Sequence, residues 1–136
     1  MDLNKTMQLS AAGMQAQSTR LRVIAENLAN SESLATEPGG EPYRRKIVTF
    51  KNALDRSLGM AKLRVDSIGV DQSPLQRRYD PKHPGADKDG YVQLPNVNGL
   101  LEVMDMRQAQ RSYDANLSVI EIARSMLLRT IDVLRG

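Results

Sequence analysis

From Leu3 onward, Met7, Ala11, Met14, Ser18, Leu21, Ala25 and Leu28 follow one another at steps of three and four, which draws one narrow apolar stripe along an α-helix. A stripe that narrow needs a partner helix. Near the other end, Ala109, Tyr113, Asn116, Ile120, Ala123, Leu127, Thr130 and Leu134 alternate by four and three, so heptad spacing predicts a helix over roughly 99–134. Beside it, Ala115, Val119, Ile122, Met126 and Val133 make a second register, and the combined face is wider than one partner helix covers. Tyr113 and Asn116 stand inside the first register, either as polar residues that fix it or as ordinary packing.

Between the helices the pattern changes. SESLATEPGGEP holds two prolines and a Gly-Gly pair, so the first helix ends near Ser31 and a linker follows. Before that end, Asn27 and Asn30 are suited to bonding exposed carbonyls and to left-handed geometry. YRRKIVTF, LRVDSIGV and PLQRRYDP read as short strands, while Leu54 and Leu58 in KNALDRSLGMA suggest a helical turn closed by Gly59. YDPKHPGADKDGYVQLPNVN is an extended connector with a brief strand at Tyr91 to Leu94. The expected fold is mainly α with a small β-rich insertion, its N- and C-terminal helices pairing as a coiled-coil-like bundle. The segments run 1–30 for the first helix, 31–42 for the linker, 43–95 for the β-rich middle and loop, and 96–136 for the last helix.

Composition narrows the chemistry. The 136 residues contain one Phe, four Tyr, no Trp and no Cys, which suits helix seams better than a thick core and removes disulfides, thiolate nucleophiles and cysteine-ligated metals. The opening MDLNKTMQLSAAGMQAQ lacks a basic head before an apolar run, and no run is long enough for a bilayer, so neither a cleavable signal nor membrane insertion is expected. The formal net charge is +3. Its dense cluster is Arg44, Arg45 and Lys46, with a pair at Arg77 and Arg78. No aromatic platform interleaves the first cluster, so a solvated or subunit-facing strand is the favoured reading over phosphate binding.

Two further features resemble sites. Asp87, Lys88, Asp89 and Gly90 spell the start of a calcium loop, yet no acidic residue follows until Glu102, so an Asp-Gly turn is favoured. His83, the only histidine, stands between Pro81 and Pro84, a poor place for a zinc site or a Ser-His-Asp triad. No catalytic, metal or cofactor site is expected. A basic nucleic-acid-binding module and a small hydrolase centred on His83 remain as rival classes.

Taken in order, ENLANSES, PGGEPYRRK, the connector with HPxADxxGYVxxPNVN, and EVMDM with RQAQRSYDAN resemble the bacterial flagellar rod and hook proteins over nearly the whole chain, with PYRRK and the connector pointing to the proximal-rod branch. The wording departs from that branch at Ser31, Glu32 and Ser33. The resemblance implies a structural subunit of the hollow drive shaft, exported by the flagellar type III apparatus without cleavage and spanning the periplasm in a helical hetero-oligomer. Its implied partners are itself, other rod proteins, and the membrane-ring and export-gate proteins at the rod base. It implies no nucleic acid and no reaction. Subunit contacts are expected at Met14, Leu21, Ile24, Asn27, Leu28 and Asn30 on the first helix, and at Tyr113, Asn116, Ile120, Ala123, Leu127 and Leu134 on the last.

Overall fold

A computed structural model describes residues 2–136; Met1, the first position of the expected 1–30 segment, lies outside the described residues. In chain order the elements are α1 (Leu3–Ala29), β1 (Lys46–Asp55), β2 (Met60–Val70), β3 (Arg77–Tyr79), β4 (Tyr91–Gln93) and α2 (Gly99–Arg135). β1 pairs with β2 and β3 with β4, each as a separate two-stranded sheet. The fold is therefore two terminal helices with a small strand region between them.

Local chemistry sets the ends. The Asp2 carboxylate accepts the Lys5 N–H at 3.2 Å and so satisfies one of the free donors that open α1. At the other end, Asn30 Nδ2 donates to the Glu26 carbonyl and Ser31 Oγ to the Leu28 carbonyl, both at 2.9 Å, each reinforcing the backbone N–H that the same residue gives to the same carbonyl. The expected left-handed residue is not used, for no described non-glycine residue has positive φ. Asn98 caps α2 in the same spirit, its carboxamide oxygen accepting the Leu100 N–H at 3.1 Å.

The helical turn expected around Leu54 and Leu58 is instead the reversal of a β-hairpin. Lys51 to Asp55 extends β1, because Asp55 accepts the Ser57 and Leu58 N–H groups and the Lys62 ammonium, and so closes the chain back on itself. Lys51 and Asp66 pair at 2.8 Å along the same hairpin.

The chain packs as two compact units. One holds residues up to Leu21, Thr49–Ser67 and Arg107–Gly136. Here α1 meets α2 at close range: a Cβ on Gly13 would lie 2.9 Å from Asn116 Nδ2, so glycine is what lets the helices approach. Arg20 donates to Gln108 at 3.1 Å beside that crossing. The face of α1 that is buried runs through Ser10, Gly13, Ala16 and Gln17 and continues, in the other unit, through Val23, Ile24 and Asn27. That differs from the apolar stripe of the sequence by one residue, roughly 100° of helix rotation. Ala11, Ser18 and Ala25 of the stripe are exposed, and Met7, Met14, Leu21 and Leu28 are half-buried. At the crossing with α2, Ser10, Gly13 and Ala16 hold the inner face because small side chains allow closer approach, and larger apolar ones such as Met14 flank it.

The second unit comprises Arg22–Val48 and Ile68–Met106. It contains the β3–β4 ladder, which pairs Arg77 with Gln93, Arg78 with Val92 and Tyr79 with Tyr91. Val92 is buried beneath the ladder.

Candidate functional site

The start of α2 is fixed by a closed polar clasp within the second unit. Asn27 is 1% exposed, and all of its hydrogen-bonding capacity is used. Its amide donates to the Lys46 carbonyl at 3.0 Å and to Glu102 at 3.4 Å, and its oxygen accepts the Tyr43 hydroxyl at 2.7 Å and the Lys46 N–H at 2.9 Å. Glu102, also 1% exposed, is paired with the Arg45 guanidinium, which lies 3.5 Å from Asp105 and 3.8 Å from Asp71. Asn96 ties the connector into the same group by accepting the Arg45 N–H and donating to the Asp71 carbonyl. A buried charge keeps its place only when paired and hydrogen-bonded, and here both conditions hold.

The electrostatics follow from these partners. The hydrogen bond that Arg45 donates to Glu102 raises the Arg45 pKa above its ordinary value, against the opposing effect of burial. Lys46 Nζ lies 2.9 Å from Glu26, holding that carboxyl below its usual range while Glu26 raises the lysine. Asp71 is lowered chiefly by the Ser73 hydroxyl, and Tyr43 is raised by burial. The Arg44, Arg45 and Lys46 cluster is therefore not the solvated or subunit-facing strand expected. Arg44 and Arg45 precede β1, Arg44 donates to the Asp71 and Ser73 carbonyls, and the other two cations meet acids far away in sequence.

The two remaining candidate sites are structural turns. His83 Nδ1 accepts the Gly85 N–H at 2.9 Å inside its own loop. Asp87 Oδ1 accepts the N–H groups of Asp89 and Tyr91, each at 2.9 Å, which closes the Asp-Gly turn ahead of β4.

What the clasp leaves free is one side of α2. The heptad register packs inward, with Ala109 and Ala123 buried and Tyr113, Asn116, Ile120 and Leu127 half-buried, whereas Leu134 is 81% exposed. On α1, Ile24 and Asn27 are buried, and Met14, Leu21, Leu28 and Asn30 are half-buried. Of the twelve expected contact residues, three are thus buried within the chain, eight half-buried and one exposed. The second register is different: Ala115, Val119, Ile122, Met126 and Val133 are all exposed, Ile122 by 60%. Leu117, Leu128 and Ile131 are exposed too, and Leu100, Leu101, Val103 and Met104 line the first turns of the helix opposite buried Glu102. These last seven were missed because they belong to neither register; the signal was simply that α2 is apolar on too many sides. Large side chains left together in water mark a surface meant for contact.

Comparison with known proteins gives the chain its class. Residues 88–133, the end of the connector and nearly all of α2, match the family model described as "Flagellar basal body rod FlgEFG protein C-terminal". The chain is of the structural, non-enzymatic class from which the flagellar basal-body rod is built. Full-length relatives narrow this. It is 47% identical over 134 residues to flagellar basal-body rod protein FlgC of Agrobacterium fabrum, covering 98% of this chain and 96% of that one. Identity is 40% over 133 residues to FlgC of Salmonella typhimurium, covering 96% and 97%, and 38% over 154 to FlgC of Borreliella burgdorferi, covering both chains fully. The chain belongs to the FlgC family of flagellar basal-body rod proteins. It is a structural subunit of the basal body that assembles with other rod components.

Proposed function

We propose that this subunit lies in the proximal rod, where copies of the chain and other rod proteins polymerise into the hollow shaft that crosses the periplasm, transmits torque and is required for motility. The observation that supports it is the exposed register Val119, Ile122, Met126 and Val133, an apolar row that the chain's own α1 does not cover. Heterologous contacts that do not close on themselves give a helical assembly, and an apolar row along a long helix suits repeated contacts of that kind. On α1, Met14, Leu21 and Leu28 are half-buried and so keep part of their surface for contact. At the rod base, the partners are the membrane-ring and export-gate proteins, and export proceeds through the type III apparatus with no cleaved signal.

The segments 1–30 and 96–136 act through their helices, α1 and α2, as the assembling bundle, joined by the 31–42 linker to the 43–95 middle. No helix among the described residues is long and apolar enough to cross a membrane. The test is a strain lacking this chain, complemented with a copy carrying an epitope in the exposed turn at Lys88. Loss of swimming without the chain, and label at the membrane-proximal end of purified basal bodies, are the expected results. Normal swimming without it, or label beside the hook, contradicts the reading.

A further inference from the structure

The exposed aliphatic row on α2 needs a counterpart, and the same compact unit carries one. Between α1 and β2 runs an open groove of about 590 Å³. It is lined by short or aliphatic side chains, Ala11, Ala12, Ala16 and Thr19 from the helix and Leu63 and Val65 from the strand. Gln8, Gln15 and Arg64 stand exposed at its rim. Ala11 and Gln15 are each two residues from Gly13, where α1 meets α2, and so lie roughly 160° round the helix from that meeting point. The groove therefore opens away from the chain's own α2. It can also close without orphaning a polar group. Thr19 Oγ1 donates to the Gln15 carbonyl at 3.2 Å, and Asp55 holds the ammonium of Lys62, also on the groove wall, at 2.6 Å. An aliphatic side chain seated there displaces water and breaks neither bond.

Size and length say what fills the groove. Large aliphatic knobs pack best between small side chains, because the small ones let two helices approach closely. From Gln8 to Thr19 the groove follows α1 for about 16 Å, and Val119, Ile122 and Met126 set three exposed knobs along about 10 Å of α2. The exposed Leu100 to Met104 at the start of α2 cover only about 6 Å and would leave most of the groove wet. Row against row would set large side chains on large ones and close as a two-fold pair, which ends growth instead of continuing it. We propose that in the rod the row of Val119, Ile122 and Met126 on one subunit seats in the groove between α1 and β2 of a second copy. Row and groove lie on different sides of one unit, so the contact is heterologous, and each copy that receives a row offers its own to the next.

This pairing rests on the rod assignment, and the chain's lack of cysteine allows a direct test. Two differently tagged full-length copies are co-expressed, one with Gln15→Cys and the other with Ile122→Cys, and basal bodies are purified and oxidised. A disulfide-linked heterodimer of the two tags is expected, and none when Lys88→Cys replaces Gln15→Cys. Intact rods that contain both copies without that heterodimer overturn the pairing and leave the rod assignment standing, as does a dimer of Ile122→Cys with itself in its place. Basal bodies that lack even the unsubstituted chain overturn the assignment itself. A second measurement needs neither tag nor cysteine. Ala11→Leu narrows the groove at an exposed position and is expected to cut swimming about tenfold or more, since an overfilled seam packs badly, while thermal unfolding of the isolated subunit stays unchanged. Adding Ile122→Ala, which shortens the knob, is expected to restore swimming. Full swimming by Ala11→Leu, or a loss that Ile122→Ala does not relieve, overturns the pairing with a second copy.

Discussion

The two ends of α2 do opposite things with their side chains. At Glu102 the helix buries a charge inside a clasp in which the donors and acceptors of Asn27 and Arg45 find partners within the chain. From Val119 to Leu134 the same helix leaves large aliphatic groups in water. The difference separates what the chain completes alone from what it leaves for neighbours: polar groups must be satisfied at once, because an unpaired buried donor is costly, whereas exposed apolar area is tolerated until a partner covers it.

The largest effect expected on this contrast is from Ile122→Asp. A charge placed in a packed helix seam without a partner costs about 3–5 kcal/mol, repeated at each copy of the contact. Swimming and rod assembly should be lost while the thermal unfolding of the isolated subunit stays within a degree or two. Normal motility would show that this face remains in water.

Next comes Asn27→Ala, which leaves the Tyr43 hydroxyl and the Lys46 backbone groups without partners. At about 1–3 kcal/mol for each orphaned buried group, the loss should reach about 3–5 kcal/mol. Urea unfolding of the isolated subunit measures it, and a change below about 1 kcal/mol would mean that the clasp is not closed.

A smaller effect should follow pH. The folded pKa of Glu26 is lowered first by its hydrogen bond from Lys46, and that of Asp71 first by Ser73. Stability from depressed carboxylates is fully present above their unfolded pKa, near 4, and is lost as pH falls through the folded values. Lys46 is raised, so its share persists through neutral pH and is lost only above its ordinary range. Melting temperature should therefore be flat from pH 5 to 9 and drop below about pH 4, and Glu26→Gln should shrink the drop. An unchanged acid limb in that variant would remove Glu26 from the account.

Smallest of all, Lys88→Ala in the exposed turn should alter stability by less than about 0.5 kcal/mol. Denaturant titration reads this directly, and it serves as the control for the clasp variants.

Periodic features were legible in the sequence, and long-range pairings were not. Heptad spacing from Ala109 to Leu127 gave the inward side of α2, and the second register through Ile122 is where the exposed row lies. Proline and glycine marked the linker and the turn before Tyr91. The clasp left no local trace, since Arg45 and Glu102 are 57 residues apart and Asn27 and Lys46 are 19 apart. Arg44, Arg45 and Lys46 consequently resembled a solvent cluster. The α1 face was misread for a different reason: apolar periodicity weighs Met and Leu above Gly13 and Ser10, whereas close helix approach favours the small residues. In KNALDRSLGMA, two leucines four apart carried a helical signal that the Asp55 turn overrode.

The separation of clasp from contact face is tested most directly by a cryo-electron-microscopy map of isolated basal bodies at side-chain resolution. Val119, Ile122, Met126 and Val133 should lie in van der Waals contact with neighbouring subunits, and the hydrogen bonds of Asn27 to Tyr43, Lys46 and Glu102 should all remain within one chain. An α2 face that points into solvent in the assembled rod, or an Asn27 side chain bonded to a neighbouring subunit, would contradict the account.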